Sequence, residues 1–462
     1  MCDGPVLAGF MTRRAPYIQS SIWAVVVALV CAAGVWLFLQ RVMIPYQIAD
    51  AAATGRPRGN LSDLYPRWVG ARELLLHGRD PYSAEVTREI QVGYYGRALD
   101  HSRKNDPRDE QGFAYPVYVV FALAPTLQLT FALVQRWFSL LLILISAASA
   151  LLWVQSLGWR SSLHSSWHSS SRSSLRSSFL TRIAVVILAL GNLAAMQGLK
   201  LEQMSLLVAG LIAIAILCLA HDHQVAAGVT LALASMKPQL VVLLLVWLAI
   251  WTLGDLRRRC RWLVSFLVVM TIQIAAAEWY LPHWIPRFWQ AARAYRDYTG
   301  AISVLEEWIG PLLGRALETL AFVLLIRLCW KERSAAATTR TFARMASLVL
   351  AFTVLLIPAD SVYNQVLLIP ALLVLFEARW GLWQKGAASR LLLLTVVGLV
   401  AWPWITTIAL AVLSFVLPQE RVEEYWAVPF WTSILIPVGV AALMLVNASQ
   451  GSFGEPAEGS TS

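Results

Sequence analysis

Apolar residues fall in blocks that recur along the whole chain: 21–39, 113–134, 137–157, 183–198, 204–220, 224–252, 262–281, 312–330, 345–358, 364–377, 391–417 and 429–447. A bilayer-spanning helix needs roughly 20 mostly apolar residues. The blocks therefore predict an all-α polytopic membrane protein, one membrane domain over 1–462 with about 12–13 transmembrane helices. The count turns on 224–252, which is long enough for two short helices bent at Pro238.

Between the first two blocks the pattern changes. In 41–112, Leu64, Trp68, Ala71, Leu75 and Leu76 recur at roughly helical spacing behind Ser62 and Asp63, and Gly78 closes the run. That spacing predicts an amphipathic helix over 64–77, lying along the membrane surface. Asp80, Pro81 and Tyr82 then turn the chain. Residues 158–182, rich in Ser, Arg and His, read as a flexible loop, and 448–462 as a flexible tail.

Charge adds orientation to this picture. Apolar residues make up 58% of 462 positions and charged ones 14%, where a soluble domain is nearer half apolar and a quarter charged. The net charge of +10 is spread over many short loops, which fits membrane topology and argues against a nucleic-acid partner. Arg and Lys in short loops mark the cytoplasmic side, as in 158–182 and at Arg257, Arg258, Arg259 and Arg261. By the same rule 282–311, 358–363 and 418–428 are external. So is 41–112, which holds 11 Arg/Lys and 10 Asp/Glu and reads as a folded extramembrane layer. The first block follows Arg13 and Arg14 and reads as an uncleaved anchor with a cytoplasmic N-terminus. Placing 41–112 outside and 158–182 inside demands an odd number of crossings in 113–157, which offers two apolar runs. Pro125 marks 113–134 as the re-entrant or broken one. Cys2, Cys31, Cys218, Cys260 and Cys329 lie far apart and imply neither a disulfide framework nor a zinc site, and no cofactor is called for.

Few residues stand out as chemistry. Asp63 heads the surface helix, where Asp is a favoured N-cap; Pro66, at N3, lacks the amide that such a cap often bonds. Capping and catalysis are compatible roles for it. Lys237 interrupts apolar sequence just before Pro238, either as an anion ligand or as a lysine snorkelling to the interface. Arg293 and Arg296 are similar candidates in 282–311. Glu202 and Gln203 precede an apolar block, where a cap and a first-turn acid are ordinary. Asp360, in a short external turn, fits a cap of the next helix or a substrate contact.

The order Asp63, then Tyr65 and Ala71 leading to Gly78-Arg79-Asp80-Pro81-Tyr82, then Phe113-Ala114-Tyr115-Pro116, resembles glycosyltransferase family 87. These are polyprenyl-phosphate-sugar-dependent enzymes of the GT-C architecture. Glu202-Gln203, Ala234-Ser235-Met236-Lys237-Pro238, and Pro358 to Pro370 around Asp360, Asn364 and Gln365 follow in the order that family shows, so the resemblance covers roughly 60–380. It implies a GT-C-type bundle with a helical external first loop. It also implies a membrane glycosyltransferase that moves a sugar, mannose by family analogy, from a polyprenyl-phosphate donor to a glycolipid or glycan acceptor. The setting it implies is the external face of a bacterial plasma membrane. In that family an acidic residue near the start of the first external loop is the catalytic base, and Asp63 is the matching position. Around it, Tyr65, Tyr115, Glu202, Gln203, Asp360 and Asn364 come from the motifs. Lys237, Arg293 and Arg296 come from charge and placement, and together these form the candidate substrate-binding set.

The chemistry suits such residues. A sugar on a lipid phosphate already carries a good leaving group, so transfer needs one base for the acceptor hydroxyl and cations for the departing phosphate. A glycoside hydrolase usually needs two positioned carboxylates. Trp284, Trp289, Tyr295, Tyr298 and Trp308 either stack on a sugar or anchor their loop at the membrane boundary. Two other classes stay open on sequence grounds: a transporter or flippase of lipid-linked sugars, which would favour ionisable residues at mid-membrane and inverted repeats, and a non-catalytic envelope-assembly scaffold.

Overall fold

The computed structural model describes residues 15–54, 62–100, 102–157, 172–358 and 361–448. Asp360 lies outside the described residues, as do 158–171 of the Ser-rich segment and 449–462 of the tail. Among the described residues there are helices and no strand; an isolated antiparallel bridge joins Ser303 and Pro358.

The first apolar block is a long helix. α1 (Ala15–Phe38) passes through a π-helical turn at Leu39–Met43 into α2 (Ile44–Thr54), so 41–54 continue that helix rather than opening the charged layer. The layer itself carries α3 (Leu64–His77) and α4 (Ala84–Tyr95). The run 113–134 does not span: α5 (Val119–Leu123) gives way at Pro125 to a 3-10 turn, and α6 (Phe131–Ser156) is the 26-residue span that follows. α7 (Arg172–Leu190) starts at Arg172, upstream of the apolar boundary at 183, and the chain bends by 57° into α8 (Leu193–Lys200). At that bend Asn192 caps α8 by accepting from the Ala195 amide at 2.8 Å. α9 (Met204–Ala220), α10 (Gln224–Ala234) and α11 (Val242–Leu253) are shorter apolar helices, the last two parted by a 3-10 turn that opens on Pro238.

Beyond them come α12 (Leu256–Tyr280), α13 (Trp284–Thr299), α14 (Val304–Ile309), α15 (Pro311–Lys331) and α16 (Arg340–Leu356). A 3-10 segment, Val362–Leu368, leads into α17 (Ile369–Gln384), then α18 (Ala387–Leu413), α19 (Gln419–Glu423), α20 (Val428–Ser433) and α21 (Ile436–Ala448). Among the described residues, six stretches are long and apolar enough to cross a membrane: Ser21–Thr54, Phe131–Ser156, Leu256–Tyr280, Val362–Gln384, Ala387–Leu413 and Gln419–Ala448. The bent pair α7–α8 makes a seventh if taken as one span.

Burial sorts these helices. α16 is buried nearly all round and sits at the centre of the bundle. α12 instead buries only Trp262 and Ala277 and leaves Val264, Leu267, Val268 and Ile272 exposed. In a chain of spanning helices, a helix face that is both apolar and exposed fits contact with lipid. The α3 face of Leu64, Trp68, Ala71 and Leu74 joins the main core, so the amphipathic helix packs onto the bundle through that face. Its partners include α5 and α4, and Gly70 lets it close on the Phe113 ring, which a Cβ there would overlap.

Candidate functional site

The site forms where the start of α3 meets three breaks between helices. Asp63 occupies the N-cap position of α3, but its backbone is already helical (φ −72°, ψ −9°) and its carboxylate makes no cap bond. Pro66 explains the loss, since it removes the amide at N3. Two main-chain bonds hold the residue instead. Its amide donates to the Leu201 carbonyl at 2.9 Å, and the Arg67 guanidinium, one turn on, donates to its carbonyl oxygen. The carboxylate is thereby left for other partners.

Across from it, α8 ends in a tight turn. The Glu202 amide reaches Leu199 O at 3.2 Å and the Gln203 amide reaches Gly198 O at 2.8 Å, the paired closure of a Schellman motif. The left-handed position, usually glycine, is Glu202 at φ 53°, which costs about 1–2 kcal/mol for a side-chain-bearing residue. Its buried carboxylate is held by the hydroxyls of Ser62 at 2.5 Å and Ser139 at 3.0 Å. Gln203 follows directly, and α9 begins at Met204, so the Gln203 side chain emerges at the joint. Its Nε2 donates to Oδ2 of Asp63.

Lys237 arrives from the break between α10 and α11. It precedes Pro238, which forces it out of helical geometry (φ −124°, ψ 76°). Its ammonium donates to Gln203 Oε1 at 3.1 Å and to Ser205 Oγ at 2.7 Å, and lies 4.8 Å from the Tyr363 ring centre. Ser205 in turn donates to Asn364 Oδ1 at 2.7 Å. Tyr115 completes the wall: Arg67 stacks over its ring at 4.6 Å. The Tyr115 carbonyl accepts from the Tyr82 hydroxyl at 2.6 Å, pinning it to the turn where Asp80 Oδ1 accepts from the Tyr82 amide at 2.9 Å.

The geometry thus brings Asp63, Gln203, Lys237, Asn364 and Tyr115 together. Glu202 bonds to Ser62 and Ser139 instead. Tyr65 is a packing residue, edge-on to Phe131 at 4.9 Å and close over Gly93. Arg293 and Arg296 are exposed on α13, while Tyr295, between them, is close enough to Asp63 and Arg67 to feel their charges. Sequence reasoning passed over Arg67 and Ser205. Arg67 had a usable signal, since residues four apart on a helix share a face; Ser205 had none. Among the described residues no group of His, Cys, Asp and Glu is arranged to hold a metal.

Burial pushes the Asp63 carboxyl above the usual carboxylate range; the Arg67 charge opposes this, Asp109 adds to it, and Lys237 and the Gln203 bond oppose it. Burial raises Asp109 as well. A groove of about 400 Å³ opens nearby between Asp80, Tyr82, Arg287 and Gln290, but Asp63 does not line it. What the cluster offers chemically is one carboxylate with an oxygen held by an amide and two cations in its field.

Spanning helices, a folded polar layer and an ionic cluster seated at helix breaks define a polytopic all-α membrane protein. Residues 113–359 match the family model of glycosyltransferase family 87, over half of the chain, and the chain belongs to that family. It is therefore a membrane glycosyltransferase. No curated protein and no solved structure matches it. The matched stretch includes Tyr115, Glu202, Gln203, Lys237, Arg293 and Arg296 and begins after Asp63.

Proposed function

We propose that the protein transfers a sugar, mannose by family resemblance, from a polyprenyl-phosphate donor to a hydroxyl of a lipid or glycan acceptor at the external face of a bacterial plasma membrane, with Asp63 as general base. The observation that carries this reading is the Asp63 carboxylate itself. It heads a helix without capping it, is held by Gln203, and lies in the field of Arg67 and Lys237.

In the transfer step the acceptor's O–H proton passes to Asp63 as its oxygen bonds to the anomeric carbon. The bond from that carbon to the phosphate oxygen breaks, and polyprenyl phosphate leaves with the electron pair. A carboxylate raised by burial is the stronger base, and the Arg67 charge stabilises the negative charge that builds up on the leaving phosphate.

The test uses purified full-length wild type and Asp63→Asn with radiolabelled polyprenyl-phosphate hexoses and a membrane lipid extract. Wild type is expected to transfer label, and the variant to lose about 10²–10⁴-fold in rate. Full transfer by Asp63→Asn would remove Asp63 as the base. No transfer by wild type from any donor would remove the donor class.

A further inference from the structure

The Gln203 side chain lies between the two ionic groups of the site, and its bonds allow it one orientation. An ammonium has only donors and an ionised carboxylate only acceptors. Lys237 Nζ gives one N–H to Gln203 Oε1 at 3.1 Å, and Gln203 Nε2 gives one to Asp63 Oδ2. Turning the amide over would set N–H against ammonium and oxygen against carboxylate. Lys237 is itself fixed: it donates to Ser205 Oγ, whose own hydrogen is then directed to Asn364 Oδ1. These four side chains are buried, Gln203 at 1%, Ser205 at 0%, and Lys237 and Asn364 at 6% exposure, so water does not compete for the bonds. Among the described residues, no hydrogen bond to Asp63 Oδ1 is seen, and none joins Lys237 to Asp63 directly.

We propose that Lys237 and Gln203 are positioning residues: Lys237 orients the Gln203 amide, which occupies Oδ2 of Asp63 and leaves Oδ1 to receive the acceptor's proton. The consequence for transfer rests on Asp63 being the base; the orientation does not. Lys237 therefore acts on the carboxylate in two ways, through space by its charge and through the amide it holds. Arg67 and Asp109 also act on Asp63 by charge, as do Glu202 from the α8–α9 turn and Tyr94 and Tyr95 from α4. Tyr295 on α13 and Tyr363 in the 3-10 segment share that field. None of these is touched by an uncharged replacement at 203.

The experiment titrates Asp63 directly, in full-length protein in lipid nanodiscs, by the infrared band of its protonated carboxyl, assigned by its absence from Asp63→Asn. Wild type is compared with Gln203→Met, Lys237→Met and the double variant, each checked for folding by melting; Gln203→Leu and Lys237→Leu replace any that fails. Losing a hydrogen bond to a charged group raises the Gln203→Met midpoint by about one to two pH units. Lys237→Met raises it as well, and the double variant raises it by less than the two shifts together, because Lys237 without Gln203 keeps only its charge effect. An unmoved midpoint in Gln203→Met, or additive shifts in the double variant, overturns the proposal. The titration needs no turnover, so absence of transfer by wild type would count against the proposed function alone.

Discussion

Gln203 donates its side-chain amide to the Asp63 carboxylate across 140 positions of sequence, while the helix that Asp63 begins goes without a side-chain cap. Replacing a capping Asp normally costs about 1 kcal/mol. Here no cap bond is lost, and an Asn at 63 still offers an oxygen to Gln203. Asp63→Asn is expected to fold at least as well as wild type while losing transfer. A clear fall in its melting temperature at neutral pH would show that the carboxylate serves α3 rather than substrate.

The same residue sets a pH dependence of stability. Its folded-state pKa is raised, chiefly by burial. Its favourable contribution to folding is therefore complete below the unfolded-state value of about 3.9 and is lost as pH rises through the folded-state value. At neutral pH the buried ionised carboxylate opposes folding. Asp63→Asn is then expected to melt higher than wild type at pH 7, with the gap closing as the buffer is taken toward pH 4. A gap that widens on acidification would contradict the raised pKa.

Arg67 connects to both halves of the site, bonding the Asp63 carbonyl and stacking 4.6 Å over Tyr115. Its charge lowers the Asp63 pKa against burial. Arg67→Gln is expected to move the acidic limb of the kcat/KM profile to higher pH and to cost about 10–100-fold at the optimum, the worth of one charged hydrogen bond. Arg67→Lys keeps the charge but not the planar stack, so it should restore the limb more than the optimum. The pH–rate profiles of the three proteins decide this; a limb that stays put in Arg67→Gln would separate Arg67 from the group that titrates in the limb.

Local signals were legible and tertiary partners were not. The spacing of Leu64, Trp68 and Ala71 with Gly78 behind them predicts 64–77, and α3 is Leu64–His77 with Gly78 left-handed at φ 66°. Loop charge demanded one crossing in 113–157, and Pro125 falls where the first run breaks. The sequence also put Asp63, Gln203 and Lys237 on one short roster of candidates, but by order of motifs, with no indication that they touch. Periodicity reports which face of one helix is buried; it carries nothing about which side chain from a distant turn meets that face. The alternatives left for Asp63 and Lys237, a cap and a snorkelling lysine, are local roles, and the bonds that replaced them come from the α8–α9 joint.

Asp80 and Arg287 form a 2.7 Å ion pair that ties the first loop to α13, with side-chain exposures of 27% and 41%. Partly exposed pairs contribute about 0.2–1 kcal/mol. Arg287→Ala is therefore expected to lower stability by less than about 1 kcal/mol, and 1 M salt to weaken wild type slightly more than the variant. A loss of several kcal/mol would mean that the pair, rather than the packing of Trp284 against Tyr118, seats α13.

Gly228 lies where α10 crosses α12, and a Cβ there would overlap Ser265 Oγ and the Trp262 carbonyl and sit 2.8 Å from the Phe266 nitrogen. Two of these are backbone atoms on a regular helix, which cannot step aside as a flexible side chain can. Small residues at such crossings let membrane helices approach closely, and packing rather than water drives their association. Gly228→Ala removes a flexible residue from a helix, which taken alone favours the variant by up to about 1 kcal/mol. Overpacking works against it by about 1–3 kcal/mol. The clash is against backbone, so the second effect is expected to win and the melting temperature to fall, while the Asp63 midpoint stays at its wild-type value because none of the site's bonds runs through α12. A variant that melts at or above wild type would show that α10 and α12 can part without cost, and a shifted midpoint would show that their spacing reaches Lys237 along α10.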